Sequence, residues 1–143
     1  MYRLDGGTGV VTHSEPVGPD FVEVFERDCP GPADFTRPVR GRPLLTEEAI
    51  YAPTFDDALA ALDLQDLDEL WRVQAVGPIR LGPVLDGTTL YVVTEGGRVV
   101  AIDTRRRAEA ASIETGLSPT GIAVSGDVVV LTGDFGVVAY RAP

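Results

Sequence analysis

The stretch Arg42-Pro43-Leu44-Leu45-Thr46-Glu47-Glu48-Ala49-Ile50-Tyr51-Ala52-Pro53-Thr54 to Asp63 returns 40 residues later, from Gly82-Pro83-Val84-Leu85 to Asp103. The shift sets Pro43 on Pro83, Leu45 on Leu85, Tyr51 on Tyr91, Thr54 on Thr94, Ala61 on Ala101 and Asp63 on Asp103, without a gap. A third, weaker copy runs through 120–141 at a shift of 38, with Thr94 on Thr132, Val99 and Val100 on Val137 and Val138, and Ala101 on Ala139. A chain that repeats itself at such a period must stack like units, because one unit cannot bury its own apolar faces.

Each unit reads as four short strands. In the first copy these are 44–46, 49–54, 58–63 and 69–74, separated by turns at Glu47-Glu48, Phe55-Asp56-Asp57 and 64–68. Taken alone, Asp56 to Leu70 would be helical, with Leu59, Leu62, Leu67 and Leu70 near helical spacing and Thr54 as a cap. The copy decides otherwise: the matching Gly97-Arg98-Val99-Val100-Ala101-Ile102 is β-branched and opens on glycine, which is strand chemistry. In the second copy Asp86-Gly87 and Glu95-Gly96-Gly97 are hairpin turns. Four-stranded units at a period near 40 are the sequence signature of β-propeller blades, so the expected fold is all-β.

The expected organisation is one domain over 1–143, with a blade tail at 1–15, an irregular strand and loop at 16–43, blades at 44–79 and 82–117, and a partial blade at 120–143. In the tail, Tyr2-Arg3-Leu4-Asp5 matches Ala60-Ala61-Leu62-Asp63, Gly6-Gly7-Thr8-Gly9 forms a turn, and Val10 to His13 forms a strand. Phe21 to Glu26 alternates with period 2, and Cys29-Pro30-Gly31-Pro32 then opens a loop that runs to Pro43. At roughly 40 residues per blade the chain holds three to four blades. That count leaves three closures open: a four-bladed ring, two chains sharing a larger ring, or a piece of a longer gene product.

The pattern Pro43-Leu44-Leu45, Ile50-Tyr51-Ala52, Ala58-Leu59-Ala60-Ala61-Leu62-Asp63 and Leu70-Trp71 resembles the PQQ-like β-propeller repeat. That family contains quinoprotein dehydrogenases, the outer-membrane assembly propeller and binding proteins. The resemblance implies that Trp71 docks between neighbouring blades; the same place holds Ala111 in the next copy and His13 in the tail. The calcium and quinone chemistry of the dehydrogenases uses Glu, Asn and Asp ligands and, in many members, a cysteine pair. This chain has no Asn and a single Cys29, so no cofactor or metal residues carry over.

The remaining polar residues point to turns rather than to chemistry. Asp5, Asp63 and Asp103 end equivalent strands and could ring a cation, but an aspartate there more often caps the following turn. Asp56-Asp57 and Asp66-Asp68-Glu69 lack the spacing of a calcium loop. His13 has no partner to make it a base or ligand, and it reads as a filler of the last strand. Arg105-Arg106-Arg107 reads as a solvated hairpin tip, Gly6 to Gly9 lacks the features of a phosphate loop, and Cys29 lacks a neighbouring base. The singled-out structural residues are Tyr51, Asp63, Trp71, Tyr91 and Asp103, with no catalytic set.

The net charge of −10, with all twelve basic residues Arg, argues against a nucleic-acid partner and suits a protein kept soluble at high salt, as in a halophile. No apolar run is long enough for a spanning helix, and no signal segment opens the sequence. The expectation is therefore cytoplasmic as written, or extracytoplasmic for a fragment of a secreted protein. The function expected is a non-catalytic binding or interaction scaffold for a protein or small-molecule ligand, with a homodimer as one closure. The alternative is a piece of a quinoprotein-type oxidoreductase whose site needs a second chain or further sequence.

Overall fold

Thirteen strands make up the described residues (2–4, 11–13, 41–74 and 77–142) of the computed structural model. The chain divides into two compact units, Met1–Pro38 and Val39–Pro143. In the first, β1 (Tyr2–Leu4) pairs antiparallel with β2 (Val11–His13). The turn at Gly6 to Gly9, Asp5, the strand at Phe21 to Glu26 and Cys29 lie outside the described residues. Tyr2 lies opposite His13 and Arg3 opposite Thr12, whereas Ala61 lies opposite Trp71 in the first full copy. With Arg3 matched to Ala61, Thr12 takes the place of Trp71, and the position assigned to His13 is corrected by one residue.

The second unit contains three antiparallel sheets. The first is β3 (Leu44–Leu45), β4 (Ile50–Pro53), β5 (Ala58–Leu62) and β6 (Glu69–Gln74), paired in sequence order. The second is β7 (Ile79–Asp86), β8 (Thr89–Thr94), β9 (Arg98–Asp103) and β10 (Ala108–Glu114). The third is β11 (Gly121–Ser125), β12 (Val128–Gly133) and β13 (Gly136–Arg141). The segment from Asp56 to Leu70 is strand, turn and strand, as its copy requires. Helical spacing of its leucines loses to the ladder that Ala58 to Leu62 forms with Ile50 to Pro53 and with β6.

Pairing confirms that the first two sheets are copies. Tyr51 faces Ala61 and Pro53 faces Leu59; 40 residues on, Tyr91 faces Ala101 and Val93 faces Val99. Because side chains alternate across a strand, each central strand sends one set of residues to each neighbouring sheet. Tyr51, Leu59 and Ala61 pack with Leu90, Val92, Val100 and Ile102 in one core. Tyr91, Val93, Val99 and Ala101 pack with Val129 and Leu131 in the next. The second sheet is thus buried on both faces, and each fully buried Leu, Val or Ile there contributes about 1.5–3 kcal/mol.

The third copy needs a correction. Its ladder sets Val129 opposite Tyr140 and Leu131 opposite Val138, matching Leu90 with Ile102 and Val92 with Val100. The shift is therefore 39 along β12 and 38 along β13, so Thr94 corresponds to Gly133 and not to Thr132. The turn between the strands explains the change: it is Asp134-Phe135 here and Glu95-Gly96-Gly97 in the second sheet. One residue is lost in the turn, and the two strands keep their faces only if the shift changes there.

Candidate functional site: an open sheet face and a pocket between sheets

The sequence-selected aspartates hold turns. Asp63 Oδ1 accepts from the Gln65 amide at 2.6 Å and the Asp66 amide at 3.4 Å. Asp103 Oδ1 accepts from the Arg105 and Arg106 amides at 2.8 and 3.0 Å. In both turns the fourth residue on, Leu67 or Arg107, takes a left-handed backbone (φ 63° and 57°) and donates its amide back to the aspartate carbonyl. The Arg106 amide, more than any other group, holds the Asp103 carboxyl below the usual carboxylate range; the Arg105 amide and the two guanidinium charges add to it. Arg105 to Arg107 form the exposed tip of this turn.

Asp56 is held by Arg72, Nη1 to Oδ2 at 3.0 Å, while Glu69 takes the Nε and Nη2 side of the same guanidinium. Thr54 Oγ1 adds a 2.5 Å bond to Asp56 Oδ1. In the second sheet Arg98 plays a similar part, bonded to Glu109 and Ser112 at 2.7 Å each. Among the described residues no three His, Cys, Asp or Glu side chains are grouped to hold a metal ion. Of the described aspartates, Asp56 is held by arginine and Asp63 and Asp103 by turn amides, while Asp86 Oδ2 is buried without a hydrogen-bond partner. Among the described residues no set matches the Glu, Asn and Asp ligands of a calcium–quinone centre, and the sequence holds no Asn.

Trp71 packs at the edge of the first core, its ring centroid 5.8 Å from that of Tyr51 with planes 51° apart. It stands across the ladder from Ala61, as Ala111 stands across from Ala101 in the second sheet. Beside Ala111 lies an open cavity of about 210 Å³ between the second and third sheets. Its walls include Tyr91, Val99, Ala101, Val129 and Tyr140, with Arg141 also lining it. Burial holds the Tyr91 hydroxyl above its usual pKa, with the Asp86 and Asp127 charges adding to the effect; burial and then Glu48 do the same for Tyr51. The sequence marks the Trp-to-Ala change, but no motif announces a cavity.

The outer face of the third sheet is the second feature. Val130, Thr132, Val137 and Ala139 occupy the places of Tyr91, Val93, Val99 and Ala101, all of which are buried. Val137 is 71 % exposed, whereas Val99 is 4 % and Leu59 0 %. Thr132 and Ala139 are exposed as well. Among the described residues no helix is long and apolar enough to cross a membrane.

The family model described as outer membrane protein assembly factor BamB matches residues 32–119. Among curated proteins nothing matches the chain. Similar solved structures include BamB from Moraxella catarrhalis (22 % identity over 70 % of this chain and 34 % of that one, TM-score 0.56). Apo AztD from Citrobacter koseri is similar at 19 % identity over 66 % of this chain and 28 % of that one, TM-score 0.52. The quinohemoprotein alcohol dehydrogenase ADHIIG from Pseudomonas putida HK5 is similar at 24 % identity over 74 % and 19 %, TM-score 0.56. The chain thus spans about a third or less of the length of each, and likeness at these identities speaks for the fold. With more than half of its residues inside the matching model and its sheets repeating as propeller blades do, the chain belongs to the BamB-type PQQ-like β-propeller repeat family.

Proposed function

We propose that the chain is a non-catalytic propeller-repeat scaffold that works by adding its blades to a larger assembly. The observation that carries this is Val137, left 71 % exposed at a place where the two preceding copies bury Leu59 and Val99. Apolar sheet faces left open drive association, and among the described residues β13 pairs only with β12, which leaves its other edge beside that face. The occupant is a further blade, from a second copy of this chain or from more of a longer one. A relative named for outer membrane assembly supports the interaction role and favours an extracytoplasmic place of work.

Light scattering tests it. The expected solution mass is at least twice 15.2 kDa, falling to 15.2 kDa for Val137→Glu with an unchanged strand spectrum. A wild-type monomer at every concentration would overturn a second copy as the occupant. The alternative, a piece of a quinoprotein-type oxidoreductase, draws on the likeness of these sheets to the alcohol dehydrogenase. Mass spectrometry of the native protein separates the two, because bound quinone or calcium would favour the enzyme.

A further inference from the structure

We infer that the cavity beside Ala111 is a binding site for a flat aromatic ring of indole size, with preference for one that carries a carboxylate. The occupant is specified by the chain's own repeat. In the first core, Trp71 packs against a cluster that contains Tyr51, Leu59, Ala61, Leu90 and Ile102. The corresponding residues one copy on are Tyr91, Val99, Ala101, Val129 and Tyr140, and all five line the cavity. The wall that receives an indole is therefore repeated, while the residue that would supply the indole is Ala111.

Size and polarity agree with that occupant. An apolar cavity of about 150 Å³ is already enough to take benzene and to stay dry without it. The space here is about 210 Å³ and is open on one side. Two tyrosines in the wall offer ring faces and edges for offset or tilted contact, the geometry that Tyr51 and Trp71 adopt one sheet earlier.

The charge preference comes from Arg141. Its Nε lies 3.1 Å from Asp127 Oδ2, with both side chains largely exposed, so the pair is weakly committed. A guanidinium has five donors and can keep Asp127 while it donates to a second carboxylate. The chain's overall −10 is screened beyond about 8 Å at physiological salt, whereas the Asp86 and Asp127 charges act locally on Tyr91, so the preference rests on the carboxylate reaching the Arg141 guanidinium directly.

Calorimetric titration with indole-3-acetate and with tryptamine, which share the ring and differ in charge, tests the inference. Saturable binding of indole-3-acetate, at least about fivefold tighter than tryptamine, is expected, with Arg141→Gln bringing the two together. Ala111→Trp should weaken both at least tenfold by filling the space from within, and Ala111→Leu should do so partly if tryptophan overfills it. No saturable binding by the wild-type chain, or binding that Ala111→Trp and Ala111→Leu both leave intact, would overturn it. These readouts are independent of the solution mass, so failure here leaves the scaffold proposal standing.

Discussion

The rings of Tyr51 and Trp71 meet at 5.8 Å and 51°, one from the second strand of the first sheet and one from the fourth, where Trp71 packs against the first core. Trp71 is half-buried, so Trp71→Ala should cost about 2–4 kcal/mol, at or below the roughly 3–5 of a fully buried tryptophan. Urea unfolding followed by circular dichroism reads this directly. A loss under about 1 kcal/mol would remove Trp71 from the core.

Gly97, the last turn residue before β9, and Gly136, the first residue of β13, both take a left-handed backbone, with φ of 81° and 96°. A methyl group on Gly97 would lie 2.1 Å from the Leu117 carbonyl oxygen, where the chain crosses from the second sheet to the third; on Gly136 it would meet nothing within 4 Å. Gly136→Ala should therefore cost about 1–2 kcal/mol from backbone strain alone. Gly97→Ala should cost more than about 3 kcal/mol, since the linker must also move. Equal costs for the two would show that the linker does not press on Gly97.

Tyr51 and Tyr91 titrate above the ordinary 10.0, chiefly because burial disfavours the phenolate. The folded-state pKa is raised, so this contribution is complete below pH 10 and is lost as pH climbs through the folded values. Unfolding midpoints should hold up to about pH 9 and fall by about pH 11, where the unfolded chain has released its phenolic protons. The double variant Tyr51→Phe/Tyr91→Phe should flatten that fall; an unchanged slope would place the loss elsewhere.

Asp103 behaves in the opposite sense. Its carboxyl is held below 3.8, first by the Arg106 amide, so its contribution is present above the ordinary value and disappears as pH drops through the lowered one. Asp103→Asn keeps an oxygen for the turn amides and should lose only the acid dependence. Asp103→Ala should lower the unfolding midpoint at neutral pH as well. Identical midpoints for the two variants at neutral pH would mean that the Arg105 and Arg106 amides do not need the acceptor.

What could be read from residues alone follows from how strongly the repeat pins each element. The 40-residue shift from the first sheet to the second is fixed at both ends, by Pro43 with Pro83 and by Asp63 with Asp103. Strands, faces and the turn role of both aspartates were legible from it. The third copy was read one residue off along β12, because Val128-Val129-Val130-Leu131 is apolar at every position and a slip by one still lays apolar on apolar. In the tail, three-residue strands carry too short a sequence pattern to tell His13 from Thr12 as the counterpart of Trp71, which the ladder resolves. The cavity was visible only as an alanine in place of a tryptophan. Whether neighbours would collapse into that space is a question of three-dimensional packing, which a spacing argument does not reach.

The face-by-face burial of the three sheets is tested most directly by hydrogen exchange, resolved by strand, in protein dilute enough to be a single chain. The account predicts slowest exchange at Leu90 to Val93 and Val99 to Ile102, whose sheet is covered on both faces, and exchange at least about tenfold faster along β13. Protection of β13 equal to that of β9 in the single chain would contradict it, because the outer face around Val137 would then already be covered.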